Sequence, residues 1–230
     1  MYFIKPFKTT EEESKQVNED LSAGQQIKLF DRPETPRKTI RVLFAFWFTL
    51  YITFETVFLK FAVTYYQYSP HKLPAQEAAH IFSIATAVYT AFRGLNVFIG
   101  LKLSIRSMLC YHYIILIIGT FLLIIGQNIL SVLWVSSILL CWGFSAMFAG
   151  IYTFTGTQLT MTNQLSTLFI LLRGVFTLVT PVLIGEYLDE FSEIFIFVEI
   201  FYLLSSLVFI FLIIYLIRLY KIIVAKTQIQ

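Results

Sequence analysis

Charge is what this chain has least of. Only 13% of its 230 residues are Asp, Glu, Lys or Arg, whereas 57% are hydrophobic. A soluble globular domain carries about 25% charged residues. With a mean hydropathy of +0.75 there is too little polar surface to coat a particle in water, so a soluble enzyme is excluded and the solvent must be largely lipid. Cysteine is almost missing. Cys110 and Cys141 lie within or beside apolar stretches, which reads as two small packing residues rather than a disulfide framework. There is no N-x-[ST] sequon. The catalytic signatures G-x-S-x-G, H-E-x-x-H, Walker A and C-x-x-C are also lacking, so no enzyme, catalytic residue or cofactor is expected. His71 and His112 are isolated, without the clustered spacing of metal ligands. The net charge of +3 is spread over the chain ends and one loop and gives no footprint for nucleic acid.

What is abundant is apolar and aromatic, with 24 Phe and 13 Tyr among the 230 residues. Residues 1–38 form a polar tail with Glu11-Glu12-Glu13, Gly24, Pro33 and Pro36. It lacks apolar periodicity and is expected to be disordered. Its acidic start rules out the pattern of a cleaved signal peptide, so insertion is expected to begin with the first membrane helix. After the basic collar Arg37-Lys38-Thr39-Ile40-Arg41 come six apolar stretches, near 42–66, 78–101, 108–126, 129–152, 163–187 and 194–217. Each approaches the roughly 20 residues a helix needs to cross a bilayer. Strands of a transmembrane barrel would be about 10 residues long and alternate in polarity; these stretches do neither. The expected fold class is therefore an all-α membrane protein of six transmembrane helices over residues 39–220, with a short tail over 221–230. Lys and Arg concentrate in the collar, the second connection (Lys102, Arg106) and the C-terminus (Arg218, Lys221, Lys226). In a six-span chain these share one side, which the positive-inside rule makes cytoplasmic for both termini.

Polar groups inside membrane helices are costly, so their placement is informative. In the first helix Thr49, Thr53, Thr56, Lys60 and Thr64 recur at helical spacing on one stripe. Ser83, Thr86, Thr90 and Arg93 do so in the second, Trp134, Ser137, Cys141 and Ser145 in the fourth, and Arg173, Thr177 and Thr180 in the fifth. The third helix is nearly all aliphatic after His112 and Tyr113, and the sixth is mostly so. The simplest packing turns helices 1, 2, 4 and 5 inward and leaves 3 and 6 against lipid, as in two three-helix repeats. Such stripes serve equally as dry seams, because Ser and Thr bond their own helix backbone.

The charges can be taken one at a time. Lys60 belongs to the Thr stripe, and Glu55 faces about the other way. Arg93 lies two-thirds along its helix, where an arginine costs about 2.5–3.5 kcal/mol at mid-membrane. Glu55, mid-span on the antiparallel neighbour, is its expected partner. Two readings stand side by side: a substrate, ion or switching site, and a permanent structural ion pair. Arg173 is treated likewise. Glu186 and Glu199 lie nearer the outer side, where snorkelling relieves them. Pro181, with Gly185 one turn on, is expected to kink the fifth helix.

Several local runs resemble a known family. Glu77-Ala78-Ala79-His80 through Ser83, then Thr90-Ala91-Phe92-Arg93, is similar to the eighth helix of major facilitator superfamily sugar transporters. The branch is that of sodium-dependent glucose transporters and fucose permease, which reads A-A-Y-x-x-S and ends in G-R. Arg93 falls at the family arginine, with Phe92 in place of the glycine. Leu103-Ser104-Ile105-Arg106 resembles the L-S-x-R turn that follows. Phe46 to Lys60, with Tyr51 and Glu55, resembles the seventh helix with its Y-V-G-A-E, although the glycines after it are missing. Gly143 to Gly150 with Gly156, and Arg173 to Gly185 with Thr180-Pro181-Val182-Leu183-Ile184-Gly185, look like helices ten and eleven.

The resemblance spans residues 40–217 and implies the C-terminal six-helix half of a twelve-helix carrier, the polar tail matching the linker between halves. It implies sugar or similar small-solute transport by alternating access in the plasma membrane, with sodium as a coupling ion. It also implies a binding site completed by a second half, supplied by an N-terminal half or by a homodimer. The path-lining candidates are Glu55, Lys60, Arg93, Thr53, Thr90, Trp134, Trp142 and Arg173. The alternative reading is a non-transporting membrane subunit, or a truncated carrier fragment, that acts only with a partner chain.

Overall fold

The computed structural model describes residues 37–188 and 191–227. The expected disorder of the N-terminal tail therefore lies outside the described residues, apart from its last two. Among the described residues seven helices follow one another: α1 Arg37–Tyr68, α2 Ala75–Gly100, α3 Ile105–Gly126, α4 Leu130–Phe144, α5 Met147–Gln158, α6 Asn163–Tyr187 and α7 Ile194–Thr227. Together they supply six spans long and apolar enough to cross a membrane, because α4 and α5 share the span Leu130–Gln158. The chain is a multi-pass membrane protein by these helices, and among the described residues there is no strand.

Local chemistry sets the ends. Between α1 and α2 the chain turns through Ser69-Pro70, then Lys72 in the left-handed region with φ 46, and Pro74 precedes the first turn of α2. Proline there loses nothing, since an N-terminal N–H has no helical partner. Ser104 caps α3 by accepting from the Ser107 amide, and Thr162 caps α6 by accepting from the Leu165 amide. Expected and observed boundaries differ most at two places. The fourth connection begins only after Gln158, because Thr153, Thr155 and Thr157 direct their hydroxyls onto carbonyls of α5 itself. At the C-terminus α7 runs on to Thr227 rather than stopping near 217. Its 34 residues reach about 51 Å, well beyond a core of about 30 Å.

α1 is the hub. It packs against α2, α5, α6 and α7, and 72% of its most apolar stretch is buried, against 17% for the spans of α2 and α6. Trp47, Tyr51, Phe54, Phe58, Tyr65 and Tyr66 fill the centre with no exposed surface. The Trp47 Nε1 donates to the Tyr113 hydroxyl at 2.9 Å, and that oxygen meets Ser206 Oγ at 2.6 Å, so α1, α3 and α7 share one polar tie. The expectation that helices 1, 2, 4 and 5 turn inward needs correction. α2 and α6 are the most exposed spans, while the third helix buries Leu116, Gly119, Thr120, Leu123 and Gly126 against the bundle. The physical reason is glycine. A Cβ on Gly126 would sit 2.9 Å from Leu133 Cα, and one on Gly143 would sit 2.7 Å from Leu116 Cδ2. Bare backbone lets α3 and α4 approach where side chains would hold them apart.

α6 continues through Pro181 as one helical element, and a break not expected from the sequence falls in the fourth span, at Ser145 and Ala146. There Ser145 Oγ donates to the Trp142 carbonyl at 2.6 Å and accepts from Asn96 Nδ2 of α2 at 2.8 Å.

Candidate functional site

A cavity of about 260 Å³ opens at the side of α1. α1 contributes Glu55 and Thr56, α2 contributes Tyr89 and Arg93, α5 contributes Phe148, and α6 contributes Arg173. Ile52 and Leu59 flank Glu55 and Thr56 on the same wall, so α1 presents a polar centre between two apolar side chains, midway along the first span. Phe148 is the second residue of α5, which places the break in the fourth span at the cavity wall.

The expected Glu55–Arg93 partnership takes a form that charge alone did not foretell. The two are joined through a third side chain. The Tyr89 hydroxyl donates to Glu55 Oε1 at 2.7 Å and accepts from Arg93 Nη1 at 2.9 Å. Arg93 also lies over the Tyr89 ring, 5.5 Å from its centroid. Glu55 is 8% exposed, and its Oε2 is buried with no hydrogen-bond partner. Arg93 and Arg173 are exposed at the other side of the cavity. A carboxylate sits at the closed end and two guanidiniums at the open one, so the cavity offers acceptors and donors to a polar guest and carries a net positive charge. Tyr89 was missing from the sequence reading. Its signal was spacing: it stands four residues before Arg93, one turn away on the same helix face.

The remaining candidates separate. Thr53 is 1% exposed and donates to the Thr49 carbonyl, so it packs in the core. Thr90 is exposed and donates to the Thr86 carbonyl. Ser83 and Thr86 do the same with Ala79 and Phe82. The stripe of α2 thus satisfies its hydroxyls within its own helix and turns out of the chain. Lys60 is exposed and away from the cavity lining. Trp134 is half-buried, edge-on to His80 with centroids 5.8 Å apart. Trp142 stacks on Phe92 at 4.4 Å, which gives a packing role to the aromatic residue at the resemblance's missing glycine. The polar face of the fourth helix is a seam: Ser137 meets the Tyr66 hydroxyl at 2.7 Å, and Cys141 is buried. The isolated histidines are occupied by carbonyls, His71 Nε2 by Gly126 at 2.8 Å and His112 Nδ1 by Gly143 at 3.0 Å.

Glu199 is the sharpest correction. Instead of snorkelling, it has no exposed surface, and neither carboxyl oxygen has a hydrogen-bond partner. Its helix packs against α1 through Phe195, which stacks on Tyr65 at 4.7 Å. This inward-facing register was not visible from one helix alone.

No family model, curated protein or solved structure matches this chain.

Proposed function

We propose that the chain is a half-length secondary carrier for a sugar or similar small polar solute, working by alternating access with both termini in the cytoplasm of a plasma-membrane protein. One observation carries this reading: the cavity holding Glu55, Tyr89, Arg93 and Arg173 lies in the membrane-spanning part of the bundle. Ionisable side chains there are expensive, and gathered round a cavity they mark a solute or ion path. At about 260 Å³ it sits just under the roughly 300 Å³ at which small-molecule sites begin, in keeping with a small guest. A broken span at the wall fits too, since carriers build sites from discontinuous helices. The major facilitator resemblance supplies the sugar class and sodium coupling; both rest on the quoted sequence runs alone.

The cavity is open on the side of α2 and α6, whose faces are exposed and carry Ser83, Thr90, Arg93 and Arg173. Lipid is a poor neighbour for such a face. The carrier therefore works as two six-helix bodies, a homodimer or this chain with a separate half. The same openness favours a second reading, a non-transporting subunit whose polar face docks a partner chain.

Uptake of labelled hexose by vesicles containing the purified chain tests the first reading. Uptake should be saturable and fall at least about tenfold in Arg93→Ala, as expected when a charge-assisted contact worth about 1.5–3 kcal/mol is lost. A well-inserted chain that moves no hexose, in the presence or absence of sodium, defeats it. A stable complex with a second chain whose solute flux is indifferent to Arg93→Ala establishes the other reading.

A further inference from the structure

A second cavity, of about 240 Å³, lies between α3, α5 and α7. Most of its wall is hydrocarbon. Leu109, Phe154, Ile210 and Ile217 line it and are themselves buried. Arg106 and Arg218 line it as well, and both are exposed. Among the described residues neither guanidinium makes a hydrogen bond or an ion pair.

Its level in the bundle follows from the chain. Arg106 is the second residue of α3, and Arg218 stands near the end of the last membrane span, Ile194–Tyr220. Phe154 is in the last turns of α5. α3 begins where α5 and α7 finish, so both arginines mark one edge of the bilayer while the apolar wall reaches inward from them. Lys102, between α2 and α3, lies at the same end. This is the basic side of the molecule, which the positive-inside rule assigns to the cytoplasmic leaflet, where anionic lipids concentrate.

The pairing of chemistries narrows the guest. Two planar guanidiniums, unpaired among the described residues, match phosphate oxygens in forked, charge-assisted hydrogen bonds. A small soluble anion would have no use for the wall of Leu109, Phe154 and the isoleucines, and a plain hydrocarbon would have none for the arginines. An apolar cavity of about 150 Å³ accepts a benzene, so this one accepts a segment of a single acyl chain, with the rest of the molecule left in the bilayer. We propose that this crevice binds an anionic phospholipid, its phosphate held between Arg106 and Arg218 and one acyl chain laid along Leu109, Phe154, Ile210 and Ile217. The site is separate from the Glu55 cavity, and the proposal stands whatever that cavity carries.

The molecule contains its own probe. Cys110 lines the crevice and is exposed, whereas Cys141 is buried. Maleimide labelling of the full chain in detergent micelles reads occupancy directly. Dioleoylphosphatidylglycerol should slow labelling of Cys110 at least about fivefold, and dioleoylphosphatidylcholine at the same mole fraction should leave it nearly unchanged. In Arg106→Gln/Arg218→Gln the protection should vanish while the lipid-free labelling rate stays as in the parent. Ile214→Trp, which fills the crevice and keeps both charges, should lose protection too. Equal protection by the two lipids overturns the proposal, as does protection that survives the double Arg substitution. Protection by glycerol 3-phosphate alone, matching that of the lipid, overturns it in favour of a soluble anion.

Discussion

At the scale of single residues, Tyr89 joins the two ionisable groups at the heart of the cavity. Removing its hydroxyl in Tyr89→Phe takes the donor from Glu55 Oε1 and the acceptor from Arg93 Nη1 together. A hydrogen bond to a charged group contributes about 1.5–3 kcal/mol. The variant should therefore melt at a lower temperature in detergent and, under the carrier reading, lose hexose uptake to a similar degree as Arg93→Ala. Unchanged melting and uptake would show that the two groups do not depend on it. Glu199 makes the opposite case. A polar group buried without a partner costs about 1–3 kcal/mol by mutational measure, and both its oxygens are in that position. Glu199→Met keeps most of the volume and should raise the melting temperature. A fall would mean that the carboxyl has a partner in the membrane-embedded protein. Both residues show where reading a sequence stops. Glu55 and Arg93 were legible as rare charges in apolar runs and as antiparallel neighbours. The bridging tyrosine was one of 13, and nothing in one helix said which way Glu199 faced.

At the scale of helices, two contacts decide how the spans fit. The α3–α4 seam depends on absent side chains. Gly126→Ala would push a methyl onto Leu133 Cα, which is backbone and cannot step aside. Overpacking of this kind costs about 1–3 kcal/mol. Gly174, with nothing within 4 Å of its virtual Cβ, is the control. Gly126→Ala should unfold at a clearly lower temperature than the parent and Gly174→Ala should not, as read by thermal denaturation in the same detergent. The other contact is Asn96 to Ser145. Asn96→Leu should destabilise the chain by about 1–2 kcal/mol, since it takes a hydrogen-bond donor from beside a buried hydroxyl. It should also raise amide hydrogen exchange around residues 145–150. Span positions were legible because length and apolarity alone mark a bilayer crossing. The break was not, because no proline marks Ser145-Ala146. The Ser145 hydroxyl at the break is bound by a side chain on α2, 49 residues earlier in the chain.

At the scale of the whole molecule, six crossings put Arg37 and Thr227 at the same end of the bundle. The chain should hold solute-facing polarity on one flank and hydrocarbon on the other. If the second body is another copy of the chain, detergent-corrected light scattering on the purified chain should give an assembly of at least two chains, and a monodisperse monomer that still transports would defeat the two-body arrangement. Overall architecture was readable from composition. Which flank lies open was not, because the Thr and Ser stripes look alike whether they line a cavity, seal a seam or bond their own backbone. The division of the fourth span has a bearing on how the protein is made. α4 has 15 residues and α5 has 12, about 22 Å and 18 Å of helix, and neither alone can bridge a hydrocarbon layer of about 30 Å. The insertion machinery must hold α4 until α5 has emerged from the ribosome. The joint between them is then met by side chains already synthesised: Asn96 of α2 at Ser145, Tyr51 of α1 at the Phe144 carbonyl and His112 of α3 at the Gly143 carbonyl.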